Sequence, residues 1–197
     1  MIVVDIETTG VDPKIHSIVS IGALDFENPK NQFYEECRIW DGAKIEEKAM
    51  EVNGFTVPQL IDNKRQSLED AIKKFIRWTE TCPSKTLAGN HIAAFDIPFL
   101  KNSAERYNIK WLPHYGAIDL YSVCVAEMLA KRVTLPIEKG VIKLKTDDIL
   151  QYIGLPAEPK PHNGLTGAKM EAEAFSRLIY RKPLLEEFFD YAIPGRL

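Results

Sequence analysis

Ile2-Val3-Val4-Asp5-Ile6-Glu7-Thr8-Thr9-Gly10 is the stretch that decides how this chain is read. The run Ile2-Val3-Val4 predicts a buried strand, and Asp5 and Glu7 fall at its end. Side chains two apart on a strand project from the same face. The two carboxylates therefore converge on one patch, and two anions held that close need a cation between them. Gly10 suits a sharp exit from the strand. Alone, such a pair also ends strands as plain solvated charge, so its meaning depends on what else joins it.

The 197 residues are 45% hydrophobic and 27% charged, the composition of one globular domain with a full core, and residues 1–197 are read as a single domain. A net charge of −3 gives no global attraction to a polyanion, so any nucleic-acid contact must come from local basic patches. Cys37, Cys82 and Cys124 are odd in number and lack metal-like spacing, which predicts reduced core thiols. No leader-like start and no run near the ~20 residues of a membrane span are evident. The expectation is a soluble cytoplasmic protein with no membrane partner.

Turn residues at 11–14 separate the first strand from strands expected at 18–24 and 33–39, joined by short connections that favour antiparallel hairpins. Leu68, Ala71, Ile72, Phe75, Ile76 and Thr79 make one helical stripe, with Ser67 placed to cap it. A short strand at 86–89, a helix over 97–107, a strand at 117–120 and a helix through 129 follow. Two more helices are predicted at 146–153 and 167–180. Strands first and then strands alternating with helices predict an α/β domain with a mixed sheet. Residues 131–145 carry no clear pattern, and 156–161 (Pro-Ala-Glu-Pro-Lys-Pro) reads as a stiff loop leading into His162.

Asp96 follows a buried strand at the start of a helix, where it would serve as an N-cap or as a further acidic ligand. Its surroundings favour the second role: Ala93 and Ala94 leave space, Phe95 offers a flat apolar face, and Asn90 and His91 add polar groups. The third element is His162-Asn163-Gly164-Leu165-Thr166-Gly167-Ala168, running into the last long helix.

Together the Asp5–Gly10 block, Phe95-Asp96-Ile97-Pro98-Phe99-Leu100, residues 45–56, residues 149–155 and the His162 segment resemble, in order, the DEDDh (DnaQ-like) 3′-to-5′ exonucleases. That resemblance implies a ribonuclease-H-like fold, a mixed five-stranded sheet flanked by helices. It also implies a two-metal mechanism in which cations about 4 Å apart clamp the scissile phosphate, one generating hydroxide and the other stabilising the leaving oxygen. Hard oxygen ligands favour Mg²⁺ or Mn²⁺. By position Asp5 would bridge both metals, Glu7 would bind one, Asp96 would support the second, and His162 would be the general base. Thr8, Thr9, Gly10, His91 and Phe95 would lie along the terminal nucleotide, with Phe95 against a base or sugar.

Two departures stand out. The family's fourth carboxylate falls five residues after the histidine, where this chain has Gly167. One metal should then bind more weakly, and Gly167→Asp should raise activity if the position is a vacant ligand site. Glu171, four residues on along the same helical face, is the visible substitute, whereas Glu173 points off it and Asp147 and Asp148 open the preceding helix. More mildly, Asn90 precedes His91, where family members often carry the reverse order. Two readings stay open: a metal-dependent exonuclease on single-stranded 3′ ends, with activity reduced by Gly167, or a weak or inactive nucleic-acid-binding or scaffold module of the same fold. DNA and RNA are not distinguished. Trp40, Trp78 and Trp111 are expected in the core. A homodimer or a polymerase partner fits the family, though no tail or partner helix in the sequence points to the latter.

Overall fold

The computed structural model describes residues 1–111 and 116–195. Strands β1 (Ile2–Thr8), β2 (Ile18–Asp25) and β3 (Asn28–Glu36) form an antiparallel meander. On the other side of β1, β4 (Leu87–Gly89) and β5 (Ala117–Asp119) add in parallel, giving the order β3-β2-β1-β4-β5. This is the mixed five-stranded sheet expected from the sequence. Among the described residues no helix is long and apolar enough to cross a membrane.

Period-two alternation along β1 sorts its side chains between two cores. Ile2, Val4 and Ile6 pack with helices α3 (Leu68–Thr79) and α4 (Asp96–Arg106), while Val3 packs with α5 (Leu120–Ala130), α6 (Thr146–Tyr152) and α7 (Gly164–Tyr180). Asp5 and Glu7 continue the Val3 register. The strand therefore delivers both carboxylates to the face that α7 covers.

The stripe predicted for α3 is the one it buries, Leu68 to Thr79, and Ser67 caps it by accepting from the Asp70 N–H at 3.1 Å. Each fully buried Leu, Ile or Phe there contributes about 1.5–3 kcal/mol. The three cysteines are buried free thiols. Trp40, Trp78 and Trp111 are only half-buried, packed against the edge of the α3–α4 core. Trp40 also carries the Arg106 guanidinium 3.6 Å over its ring, an amphipathic role that leaves it at the surface.

Several boundaries differ from the sequence reading. β3 starts at Asn28 rather than at 33, because its first residues are polar and partly exposed and are held by ladder hydrogen bonds that need no apolar side chains. Two short helices, α1 (Glu47–Asn53) and α2 (Val57–Ile61), are too brief to show a full apolar stripe. The unpatterned stretch 131–145 contains a small hairpin, β6 (Ile137–Glu138) with β7 (Val141–Ile142). α7 begins three residues early, at Gly164, because Asn163 caps it, its Oδ1 accepting from Leu165 at 3.0 Å and Thr166 at 3.3 Å.

α7 lies directly on β1 and β2. A Cβ on Gly22 would overlap the Gly164 backbone, and one on Gly164 would come within 2.8 Å of the Asp5 carbonyl oxygen and 2.9 Å of the Gly22 nitrogen. Only two glycines permit that approach. The far half of the helix is tied by Arg177, fully buried, whose Nε donates to Glu173 at 2.6 Å and whose guanidinium donates to the carbonyls of Ile153, Phe188 and Ala192. Glu173 also accepts the N–H groups of Leu184 and Leu185, so this buried pair is fully partnered. Gly22→Ala should force α7 off the sheet and lower stability by about 1–3 kcal/mol, the usual cost of overpacking. Urea unfolding would report it as a lower midpoint, and an unchanged midpoint would contradict the close approach.

Candidate active site

Asp5, Glu7, Asp147, Glu158, His162 and Glu171 line one cleft of about 290 Å³. β1 supplies the first two, α6 the third, α7 the last, and the loop between α6 and α7 the other two. Asp96 joins from the side of β4. The Ile2 N–H bonds to the Thr86 carbonyl, so the Ile6 N–H faces the same edge, beyond the end of β4. Asp96 Oδ1 accepts that orphan N–H at 3.2 Å. Its carboxylate is thus turned to β1 rather than serving as the N-cap of α4, a position that Phe95 occupies without a side-chain hydrogen bond. Glu171 Oε2 accepts from the Asn90 N–H at 3.1 Å, and the Asn90 amide reaches Thr146 Oγ1 at 2.8 Å, closing the floor between β4 and α6.

His162 is held from both sides. Its N–H donates to the Val52 carbonyl at 2.9 Å, and the next residue, Asn163, caps α7 and donates to the Tyr34 hydroxyl at 2.7 Å. The imidazole is 30% exposed, with Nδ1 3.5 Å from Glu158 Oε2. Burial lowers its pKa below the ordinary imidazole value, Asp147 pulls it back, and Lys160 pushes it further down.

The carboxylates behave in the opposite sense. Burial raises Asp5 well above the usual range, and the charges that add to it, from Glu171, Glu7, Asp96 and Glu158, are all negative. Burial, then Glu158 and Asp96, push Glu7 up to about 8. Asp96 is likewise pushed to about 8 by burial, against two backbone N–H groups that favour its anion. Glu171 is raised by burial and then by Asp96, and Glu158 reaches about 7 mainly through burial. Such crowding of carboxyl groups, all of them oxygen donors, could hold a hard divalent cation. Glu7, Glu158 and His162 each offer a ligand atom, all within 4.8 Å of one another.

The remaining candidates sit differently. Thr8, Gly10 and Phe95 line an adjoining, more apolar cavity of about 330 Å³ together with Glu7, Val52 and Asn53. Thr9 is fully buried, its hydroxyl donating to the Lys44 carbonyl at 2.6 Å and accepting from the Ser17 N–H at 2.9 Å, so that hydroxyl is engaged inside the fold. His91 is exposed with positive φ, its ring 5.0 Å from that of Tyr121. Asp147 does open α6, and it faces the cleft as well. Glu158 is the residue the sequence reading passed over. Its signal was faint: an acid four residues before His162, set among prolines.

Gly167 faces the Asp5 carboxylate at close range. A Cβ there would overlap that carboxylate and lie 3.3 Å from Glu158 Oε1, so a side chain at 167 requires the free end of Asp5 to shift.

A family model described as Exonuclease (RNase_T) matches residues 2–175. The chain is 26% identical over 181 residues to the PolC-type DNA polymerase III of Thermotoga maritima, which covers 90% of this chain but only 12% of the polymerase. It is 27% identical over 126 residues to ribonuclease T of Vibrio vulnificus, covering 58% of each. The chain thus spans a small part of the first relative and little more than half of the second. Among solved structures it resembles the nuclease domain of 3′hExo, a DEDDh family member bound to rAMP, at a TM-score of 0.66 and 17% identity over all of this chain and 96% of that one. It also resembles E. coli exonuclease I in complex with a dT13 oligonucleotide, at 0.70 and 15%, over 89% of this chain and 40% of that one. These two are likenesses of fold.

The raised carboxylates dictate a pH dependence. Glu7, Asp96 and Glu158 rise from 4.5, 3.8 and 4.5 to about 8, 8 and 7, so the folded chain holds protons that the unfolded chain releases. Their contribution is fully present below the unfolded values and is lost as pH rises through the folded ones. Melting in EDTA should show Tm falling between ~pH 5 and ~pH 8, and Glu7→Gln should flatten the fall. A Tm that climbs across this window would contradict the burial of these acids.

Proposed function

The chain belongs to this exonuclease family, and on that footing we propose that it hydrolyses phosphodiester bonds stepwise from the 3′ end of single-stranded nucleic acid, with divalent cations bound at Asp5, Glu7, Asp96 and Glu171. The observation that carries the reading is the convergence of Asp5 with the buried acids Glu7, Asp96 and Glu171, from β1, α4 and α7, beside a part-exposed histidine. The donor set fits Mg²⁺ or Mn²⁺, oxygen ligands crowded enough that burial alone holds them partly protonated. Bound there, the cations would supply positive charge that lets the acids ionise and that neutralises a scissile phosphate.

The chain's own groups do the rest. His162, with its pKa lowered, is an unprotonated base at neutral pH and takes the proton of the attacking water. Its backbone bond to Val52 and the Asn163 cap hold the imidazole at the mouth of the cleft, so little motion is needed to place it. The terminal nucleoside rests in the adjoining cavity, with Phe95 as its apolar wall and Thr8 and Gly10 along its edge. The cleavage leaves a mononucleotide and a strand shortened by one residue, with a new 3′ hydroxyl. Likeness to part of a polymerase supports a substrate presented near a polymerase, as a separate partner or on one chain.

Gly167 favours a second reading, a nucleic-acid-binding module of this fold that has lost hydrolysis. One assay separates the two. With Mn²⁺ and a 5′-labelled single-stranded oligonucleotide, products should shorten progressively from the 3′ end. Asp5→Ala should abolish this, and His162→Ala should slow it about 10²–10⁴-fold. Strand binding without shortening, at saturating Mn²⁺ and high protein, would establish the second reading instead.

A further inference from the structure

We propose that Glu158 is a further carboxylate of the site, a divalent-cation ligand delivered beside Glu171 by the loop between α6 and α7, in place of a side chain at Gly167. The proposal rests on the nuclease reading above and deepens it by naming a ligand from outside the family pattern.

Three observations converge on this side chain. First, it is only 9% exposed, and its Oε1 is buried with no hydrogen-bond partner among the described residues. A carboxylate oxygen stripped of water and given no donor is costly, and such an atom points to an occupant absent from the chain itself. Second, the same oxygen lies 3.3 Å from the place of a Cβ on Gly167. It fills the region that a helix-borne acid would reach. Third, a carboxylate oxygen of Glu158 lies within 4.8 Å of one of Glu7, a span that one cation can bridge, with the His162 imidazole beside them. At typical metal–oxygen distances of about 2.0–2.2 Å, opposite ligands stand a little over 4 Å apart.

The loop is built to hold the acid there. Pro156, Pro159 and Pro161 each fix φ, so few conformations are lost on ordering it. The Glu158 N–H donates to Asp147 Oδ1 at 3.3 Å, tying the loop to the first turn of α6. A glutamate, one methylene longer than aspartate, can reach the cleft from this more distant anchor. The crowding at Gly167 then has a reason. With the Asp5 carboxylate beside the helix and Glu158 arriving from the loop, a side chain at 167 would have to push one of them aside. Glu171 shares the cluster, but its Oε2 is already held by the Asn90 N–H, on the side towards β4. The other Glu158 oxygen faces His162, which allows a rival role in which the acid merely orients the imidazole.

Calorimetric titration of the whole chain with MnCl₂, paired with melting curves, decides the matter. Wild type should bind Mn²⁺ and gain Tm. Glu158→Gln, which keeps the shape and removes the charge, should weaken one Mn²⁺ by at least tenfold and shrink the Mn²⁺-induced rise in Tm. Its metal-free Tm should equal or exceed that of wild type, because a repulsive charge has gone. Glu158→Asp should fall between the two, and it carries the test if Glu158→Gln melts below wild type. A Glu158→Gln titration identical to wild type, with binding lost in Asp5→Asn, would overturn the role of Glu158 and leave the nuclease reading standing. Wild type that takes up no Mn²⁺ at millimolar concentration would overturn both.

Discussion

The contact on which the site depends is the bare backbone crossing of Gly22 and Gly164. With no side chain between them, the first turn of α7 rests on the centre of the sheet, and the Asp5 carbonyl lies where a Cβ on Gly164 would have to go. Every functional group on the last third of the chain inherits its position from this crossing. The residues just before α7 bring His162 to the mouth of the cleft, and two turns into the helix Glu171 faces its floor. A single methyl group at the crossing would move all of them together.

Crowding Asp5, Glu7, Asp96, Glu158 and Glu171 together works against the fold, since burial and mutual repulsion both oppose their ionisation. Other parts of the structure offset that cost. β1 is anchored by Ile2, Val3 and Val4, none of them exposed, and α7 is fixed at one end by the Asn163 cap and in its second half by the Glu173–Arg177 pair. The acids sit between two clamps and cannot relax apart by tilting the helix. What remains available is protonation or a bound cation. This coupling links the metal chemistry proposed for the cleft to the stability of the whole sheet.

Much of this was legible because short-range periodicity carried it. Asp5 and Glu7 share a face by the pleat of a strand, and the α3 stripe buries the residues its 3.6 spacing selects. The order of motifs was enough to identify the fold and its family. Other features had no local signature. β3 begins in polar residues held by ladder bonds, and α1 and α2 are too short to show a period. Glu158 lies in a loop whose prolines announce stiffness and not direction, so its aim into the cleft emerges only in three dimensions. Gly167 is an absence in the sequence, and only in space does it become evident that the Asp5 carboxylate lies against it.

The proposed chemistry requires that these acids enclose divalent cations. Crystals soaked in MnCl₂, with anomalous scattering recorded near the manganese edge, test it most directly. The expected map has manganese peaks in the cleft between Asp5, Glu7 and Asp96, one of them within coordinating distance of the Glu158 carboxylate. A cleft free of anomalous density, with ordered carboxylates and manganese bound elsewhere on the surface, would contradict it.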